Sequence, residues 1–145
     1  MAALSYKKAL KYITPPMKRI LIVDDTPGYA ERLKEMFIAR YGEGKTHVEI
    51  CRDPLTGLKQ AGPEWNLILV DLEMPILDGR KFLDGAVAKG ANKKRIIILS
   101  ARDAEHLHHV FPAGCCLAVI NKTEERQQEA LMMMVDSIMK KADTA

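Results

Sequence analysis

The chain has 145 residues, 48% of them hydrophobic, which suffices for one buried core, and no added effector domain is expected within it. Its formal charge of +3 arises in the first 19 residues, whose sequence contains Lys7, Lys8, Lys11, Lys18 and Arg19 but no Asp or Glu; the remainder holds 17 basic against 19 acidic groups and lacks the basic stripe that direct nucleic-acid binding requires. No apolar run approaches the roughly 20 residues that span a bilayer and no signal-peptide core follows Met1, so a cytoplasmic protein is expected.

Residues 3–13 fit a short amphipathic helix, with Leu4, Leu10 and Ile13 among lysines, and Thr14-Pro15-Pro16 stops it because proline disfavours helix in the residue before it. Residues 1–17 therefore read as an extension, either an upstream start or an appended leader, 18–141 as one domain and 142–145 as a tail. A strand is expected at 20–23. A helix then starts after Asp25 or Thr26, where a short oxygen side chain caps free amides and Pro27 suits an early position. Ala30, Leu33, Phe37 and Tyr41 mark its buried face and Gly42 ends it. Next come a strand at 47–51, a helix at 54–61 closed by Gly62-Pro63, and a strand at 67–70 led in by Trp65. A helix follows at 80–88, then a turn at Gly90 and Asn92 and a strand at 95–99. Residues 102–113 are weakly helical, with Leu107, Val110 and Phe111 as core candidates and a sharp end at Pro112-Ala113-Gly114. A strand at 117–121 and a helix at 124–141, with Leu131, Val135 and Ile138 on one face, complete a right-handed α/β sandwich. Three cysteines, Cys51, Cys115 and Cys116, lie near the apolar strands as reduced thiols.

Chemistry collects where the strands end. Asp24-Asp25, Asp71, Ser100 and Lys122 each directly follow an apolar run, and in a parallel sheet those C-terminal ends share one edge, where open α/β sheets carry their sites. Three carboxylates that converge raise one another's pKa unless a cation neutralises them, so the trio calls for a hard divalent ion with oxygen ligands, most simply Mg²⁺. Lys122 adds a fixed positive charge. Between these groups, Met74-Pro75-Ile76-Leu77-Asp78-Gly79 reads as a rigid loop walling the site, with Asp-Gly supplying a turn that reaches positive φ.

The stretches Ile-Leu-Ile-Val-Asp-Asp at 20–25, Val-Asp-Leu-Glu-Met-Pro-Ile-Leu-Asp-Gly at 70–79, Ile-Leu-Ser-Ala at 98–101 and Asn-Lys at 121–122 together resemble the receiver domain of two-component response regulators. The resemblance covers 18 to about 140. It implies a flavodoxin-like, doubly wound (βα)5 sandwich with a five-stranded parallel sheet in the order 2-1-3-4-5. It further implies that Asp71 accepts a phosphoryl group from a sensor histidine kinase or phosphotransfer protein. Asp25 and Asp71 would bind Mg²⁺ directly and Asp24 through water, with the Glu73 backbone carbonyl as a further ligand. Lys122 would pair with Asp71 at rest and with the phosphoryl group afterwards. Ser100 would bond that group after shifting inward, beside the amides of Leu72 and Ala101. The implied output is a changed protein contact on the face formed by the segment at 102–113, the fifth strand and the last helix, where an output protein or a second copy would dock.

Two positions depart from the family. Thr123 follows the lysine where proline is usual, so that loop is expected to be shaped differently or looser, and Val119 stands where receivers usually carry a switching Tyr or Phe. These motivate an alternative, a receiver-like docking module that works without phosphate. A phosphatase of the haloacid dehalogenase type is a third reading, met only loosely by Glu73, two after the acceptor. Glu73 either tunes loss of the phosphoryl group by charge or is simply solvated. His106, His108 and His109 read as surface histidines rather than a metal site, and Met132–Met134 as core filling rather than a docking stripe.

Overall fold

The computed structural model describes residues 17–102, 107 and 110–140. Residues 1–16 of the extension, the histidines at 106, 108 and 109, half of the weak helix at 102–113 and the tail fall outside them. The elements are β1 (Lys18–Val23), α1 (Tyr29–Tyr41), β2 (Thr46–Cys51), α2 (Pro54–Gln60), β3 (Leu67–Asp71), α3 (Gly79–Ala88), a single 3-10 turn (Lys93–Arg95), β4 (Ile96–Ser100), β5 (Ala118–Asn121) and α4 (Glu125–Lys140). All strand pairs are parallel and the sheet order is β2-β1-β3-β4-β5. This is the flavodoxin-like fold and strand order expected from the sequence, with four α-helices among the described residues.

Every residue of β3 and β4 is buried, because helices cover both faces of the sheet; such strands read as unbroken apolar runs rather than alternations. Successive side chains nonetheless go to opposite cores. Leu21, Val23, Ile68, Val70, Ile96 and Ile98 meet Phe82, Leu83 and Ala86 of α3 on one face. Ile20, Ile22, Leu67, Leu69, Ile97 and Leu99 meet Ala30, Leu33 and Phe37 of α1 and Leu131, Val135 and Ile138 of α4 on the other. Each such side chain contributes roughly 1.5–3 kcal/mol of burial, so the two faces together hold the sheet and fix where its strand ends lie.

Five local expectations need correction. Helix α1 starts later than expected: its N-cap is Gly28, at φ 85, and no side chain caps it. Asp24 Oδ1 accepts from the Thr26 amide instead, at 2.7 Å, so the turn before the helix is held from the strand side and a residue tolerant of left-handed backbone must enter the helix. Tyr41 is only partly buried, whereas Ala30, Leu33 and Phe37 are fully so. In the 74–79 loop, positive φ falls on Ile76 (φ 76), not on Asp78-Gly79; Asp78 caps α3 by accepting from the Lys81 amide at 2.8 Å, and the tight turn is closed by the Leu77 amide on the Pro75 carbonyl at 2.9 Å. A β-branched residue there is strained, by about 1–3 kcal/mol. Val110 is exposed while Leu107 and Phe111 are buried. Among the methionine run, Met133 is exposed and Met132 and Met134 pack partly against the core.

Among the described residues no helix is long and apolar enough to cross a membrane. All three cysteines are free.

Candidate functional site

The parallel register assembles the site. Asp71 is paired with Leu99 and Ser100 with Asn121, while Asp24 continues β1 by donating its amide to the Cys51 carbonyl at 3.0 Å. The chemistry-bearing residues therefore line one edge of the sheet, at its carboxyl end, as the order of the strands dictates.

Asp24 is fully buried and Asp71 nearly so, whereas Asp25 is more accessible. Carboxylate oxygens of all three lie within 4.8 Å of one another. The Lys122 ammonium sits 2.7 Å from Asp24 Oδ2 and 3.3 Å from Asp71 Oδ2, with its side chain 8% exposed. It also donates to Thr26 Oγ1 at 3.2 Å and lies 4.8 Å from the centre of the Tyr29 ring. Asp71 Oδ1 accepts from the Glu73 amide at 3.1 Å. Burial, then repulsion from Asp24, push the Asp71 carboxyl up to about 6, against the opposing pull of the Glu73 amide and of Lys122. One ammonium thus incompletely offsets two buried acids.

Asp24 Oδ2, although close to Lys122, makes no aligned hydrogen bond. A buried carboxylate oxygen with unused acceptor capacity, beside two further carboxylates, is a donor set suited to a hard divalent cation. The residues present fit that ion. A cleft of about 300 Å³ opens beside them, lined by Thr26, Tyr29, Arg32, Asp71, Glu73, Ala101, Lys122 and Thr123.

A model of the response regulator receiver domain matches residues 20–136. The chain belongs to that family. Among solved structures it is similar to the non-phosphorylated HemR receiver domain from Leptospira biflexa, at 22% identity and a TM-score of 0.68 over 88% of this chain and 98% of that one. The chemotaxis protein CheY4 from Vibrio cholerae gives 18% identity and a TM-score of 0.69 over 84% and 98%. The receiver domain of a sensor histidine kinase from Pseudomonas aeruginosa PAO1, with a magnesium ion coordinated in its active-site cleft, gives 22%, 0.64, 84% and 98%. These likenesses establish the fold. No curated protein sequence matches the chain.

Against the receiver pattern, the residues named from the sequence are placed as follows. Asp24, Asp25, Asp71 and Lys122 come together. Ser100 is fully buried at the end of β4, but its hydroxyl donates to Glu73 Oε1 at 2.6 Å and accepts from the Arg102 amide at 3.0 Å. The Ala101 amide donates to Glu73 Oε2 at 3.0 Å. Glu73 is thus not the solvated side chain of one sequence reading. The Leu72 amide, assigned from the resemblance to the phosphoryl group, donates to the Leu99 carbonyl at 2.8 Å, because it continues the β3–β4 ladder past Asp71; the Glu73 amide is the one that faces the acceptor.

The loop after β5 is pinned rather than loose. Asn121 Oδ1 accepts from the Thr123 amide and hydroxyl, both at 2.7 Å, and Asn121 Nδ2 donates to the Arg102 carbonyl at 3.1 Å. Gln128 of α4 donates to the Asn121 carbonyl at 2.9 Å and accepts from the Tyr29 hydroxyl at 3.1 Å. Burial, partly relieved by Gln128, raises the Tyr29 phenol to about 12, so it stays neutral beneath Lys122. Sequence reasoning passed over Tyr29 and Gln128 entirely. Neither belongs to a motif, and their contact joins residues 99 positions apart.

Proposed function

We propose that the chain is a phosphoacceptor switch of two-component signalling, working in the cytoplasm, with residues 18–141 as its functional unit and Asp71 as the acceptor. The observation that carries this is the placement of the Asp71 carboxylate at the end of β3, with an ammonium at 3.3 Å and two more carboxylates in reach of the same cation. In the reaction a carboxylate oxygen of Asp71 attacks the phosphorus of a phosphohistidine; the new O–P bond forms as the P–N bond breaks, and the freed imidazole nitrogen leaves with the partner kinase or phosphotransfer protein. Such transfer asks of the protein mainly alignment and charge neutralisation.

Burial between Val70 and Leu72, with Oδ1 tied to the Glu73 amide, limits the directions in which the carboxylate can point. Lys122 neutralises the acceptor at rest and lies at the cleft, ready for an oxygen of the incoming group. Asp24, Asp25 and Asp71 would hold Mg²⁺, which when bound neutralises charge on the carboxylates and on the phosphoryl oxygens. Ala101, which lines the cleft, and the adjacent Ser100 supply an amide and a hydroxyl donor, both engaged by Glu73 at rest. The output would be a change in protein contacts on the β5–α4 side, to a partner or to a second copy.

The test is intact mass after incubation with acetyl phosphate or phosphoramidate and Mg²⁺. The wild-type chain should gain one phosphoryl group and Asp71→Asn none. No gain with any donor favours the docking-module reading that Val119 and Thr123 motivate, and a gain that survives Asp71→Asn moves the acceptor elsewhere.

A further inference from the structure

The Glu73 side chain bridges two groups that present hydrogen-bond donors to one point. Ser100 Oγ donates to its Oε1 at 2.6 Å and the Ala101 amide to its Oε2 at 3.0 Å. A short O–H···O⁻ bond and a backbone amide on a carboxylate are both charge-assisted, the stronger class of hydrogen bond. A hydroxyl and an adjacent N–H directed at two oxygens of one anion form an anion site, and here the anion belongs to the chain itself. Ser100 is held at that position from behind as well, by the Arg102 amide at 3.0 Å.

Glu73 also stands between two clefts. On one side is the space beside Asp71 and Lys122. On the other is a larger one, about 430 Å³, walled by Leu72, Met74, Arg80 and Arg102 among others. The Arg102 guanidinium already lies 3.7 Å from Glu73 Oε1 and is largely exposed. A displaced carboxylate therefore has a second cationic place to go without leaving the loop.

We infer that Glu73 is an internal anion that occupies the Ser100–Ala101 donor pair until a phosphoryl group on Asp71 displaces it toward Arg102. This deepens the phosphoacceptor reading and rests on it. The resting chain then does not await an inward movement of Ser100. Its hydroxyl is already held by an anion, and the event that switching requires is the exchange of one anion for another. Two charge-assisted bonds that must break before the site opens weaken anion binding by at least about tenfold.

The experiment measures the affinity of beryllofluoride, a phosphoryl mimic, in the presence of Mg²⁺ for the wild type, Glu73→Ala, Glu73→Gln and Glu73→Asp. The aspartate variant keeps the negative charge but loses the methylene that lets the carboxylate reach both donors. Displacement predicts about tenfold tighter binding in Glu73→Ala and Glu73→Asp alike, with Glu73→Gln between these and the wild type. It also predicts that the Ala101 amide proton of the ligand-free wild type resonates downfield of its position in Glu73→Ala and Glu73→Asp. Tighter binding in Glu73→Ala with wild-type affinity in Glu73→Asp would reduce Glu73 to a general repulsive charge and overturn the inference. So would equal affinity across the series or an unmoved Ala101 amide. Absence of binding in all four proteins overturns the acceptor reading itself, and the inference with it, a result distinct from equal binding in all four.

Discussion

Replacing the acceptor should stabilise the metal-free protein. Asp71 is raised from the ordinary 3.8 to about 6, chiefly by burial and next by Asp24. The shift is about two pH units at 1.36 kcal/mol each, so the ionised carboxylate costs the fold up to about 3 kcal/mol at neutral pH. Asn at 71 removes the charge, keeps an oxygen for the Glu73 amide and leaves Lys122 paired with Asp24 at 2.7 Å. The value of about 6 already includes the attraction of Lys122, but the buried Asn amide is itself desolvated, so a rise of about 1–2 kcal/mol is expected, or on the order of 5 °C in Tm for a domain of this size. The sign with pH follows from the raised value. The native state holds the Asp71 proton more tightly than the unfolded chain does, so the stability present below about 3.8 is lost as pH rises to about 6. The advantage of Asp71→Asn should accordingly be full at pH 7, shrink through 6 to 4 and vanish near 3.8. Thermal or urea unfolding in EDTA across that range measures it, and added Mg²⁺ should raise the wild type more than the variant, since only the wild type keeps the third carboxylate. A variant no more stable than wild type at pH 7 in EDTA, or a gap that persists unchanged at pH 4, would refute the reasoning.

Ile76 has φ 76 and is 80% exposed, so Ile76→Gly relieves strain while losing almost no burial; a gain of about 1 kcal/mol in unfolding free energy, seen as a higher urea midpoint, is expected, reduced by the greater freedom of glycine in the unfolded chain. A loss of stability would show the loop to be unstrained. Asp136 of α4 is held well below the usual carboxylate range, first by its hydrogen bond from Arg40 and then by that from Tyr41, so the stability it adds is present above about 3.9 and disappears as pH falls toward its depressed value. Asp136→Asn should lower the urea midpoint at pH 7 and converge with wild type in acid, and a difference that stays constant with pH would remove the ion pair as the cause.

The sheet was legible because its strands are buried on both faces: unbroken apolar runs such as 67–70 and 96–99 leave few alternatives, and the polar residue that ends each run then marks the active edge. Helix entry was less legible. Asp25, Thr26 and Pro27 carry the composition of a helix start, but Asp24 engages the Thr26 amide, and the cap passes to Gly28, where no side chain signals it. Positive φ at Ile76 runs against the preference of a β-branched residue, so local propensity points to Asp78-Gly79 instead. The role of Glu73 lay beyond local reading for another reason. Its partners are 27 and 28 positions away, and an acid beside an acceptor has the same sequence signature whether it faces water or fills an anion site.

Thr123 and Val119, the two departures from the family, acquire a physical context in the loop after β5. In place of a ring-constrained proline, Asn121 fixes the backbone through Thr123, and the same side chain bonds the Arg102 carbonyl. Arg102 in turn gives its amide to Ser100, while Lys122 gives its amide to the Ser100 carbonyl at 2.8 Å. Gln128 then carries the connection from Asn121 into α4 and across to Tyr29 of α1. A rearrangement at Ser100 therefore meets a continuous set of hydrogen bonds leading to α4 without passing through position 119. Contiguity alone is not a coupling energy. It does identify Asn121 as the residue where the β4 and β5 loops share one side chain, and hence the position at which a double-mutant cycle with Ser100 has physical meaning.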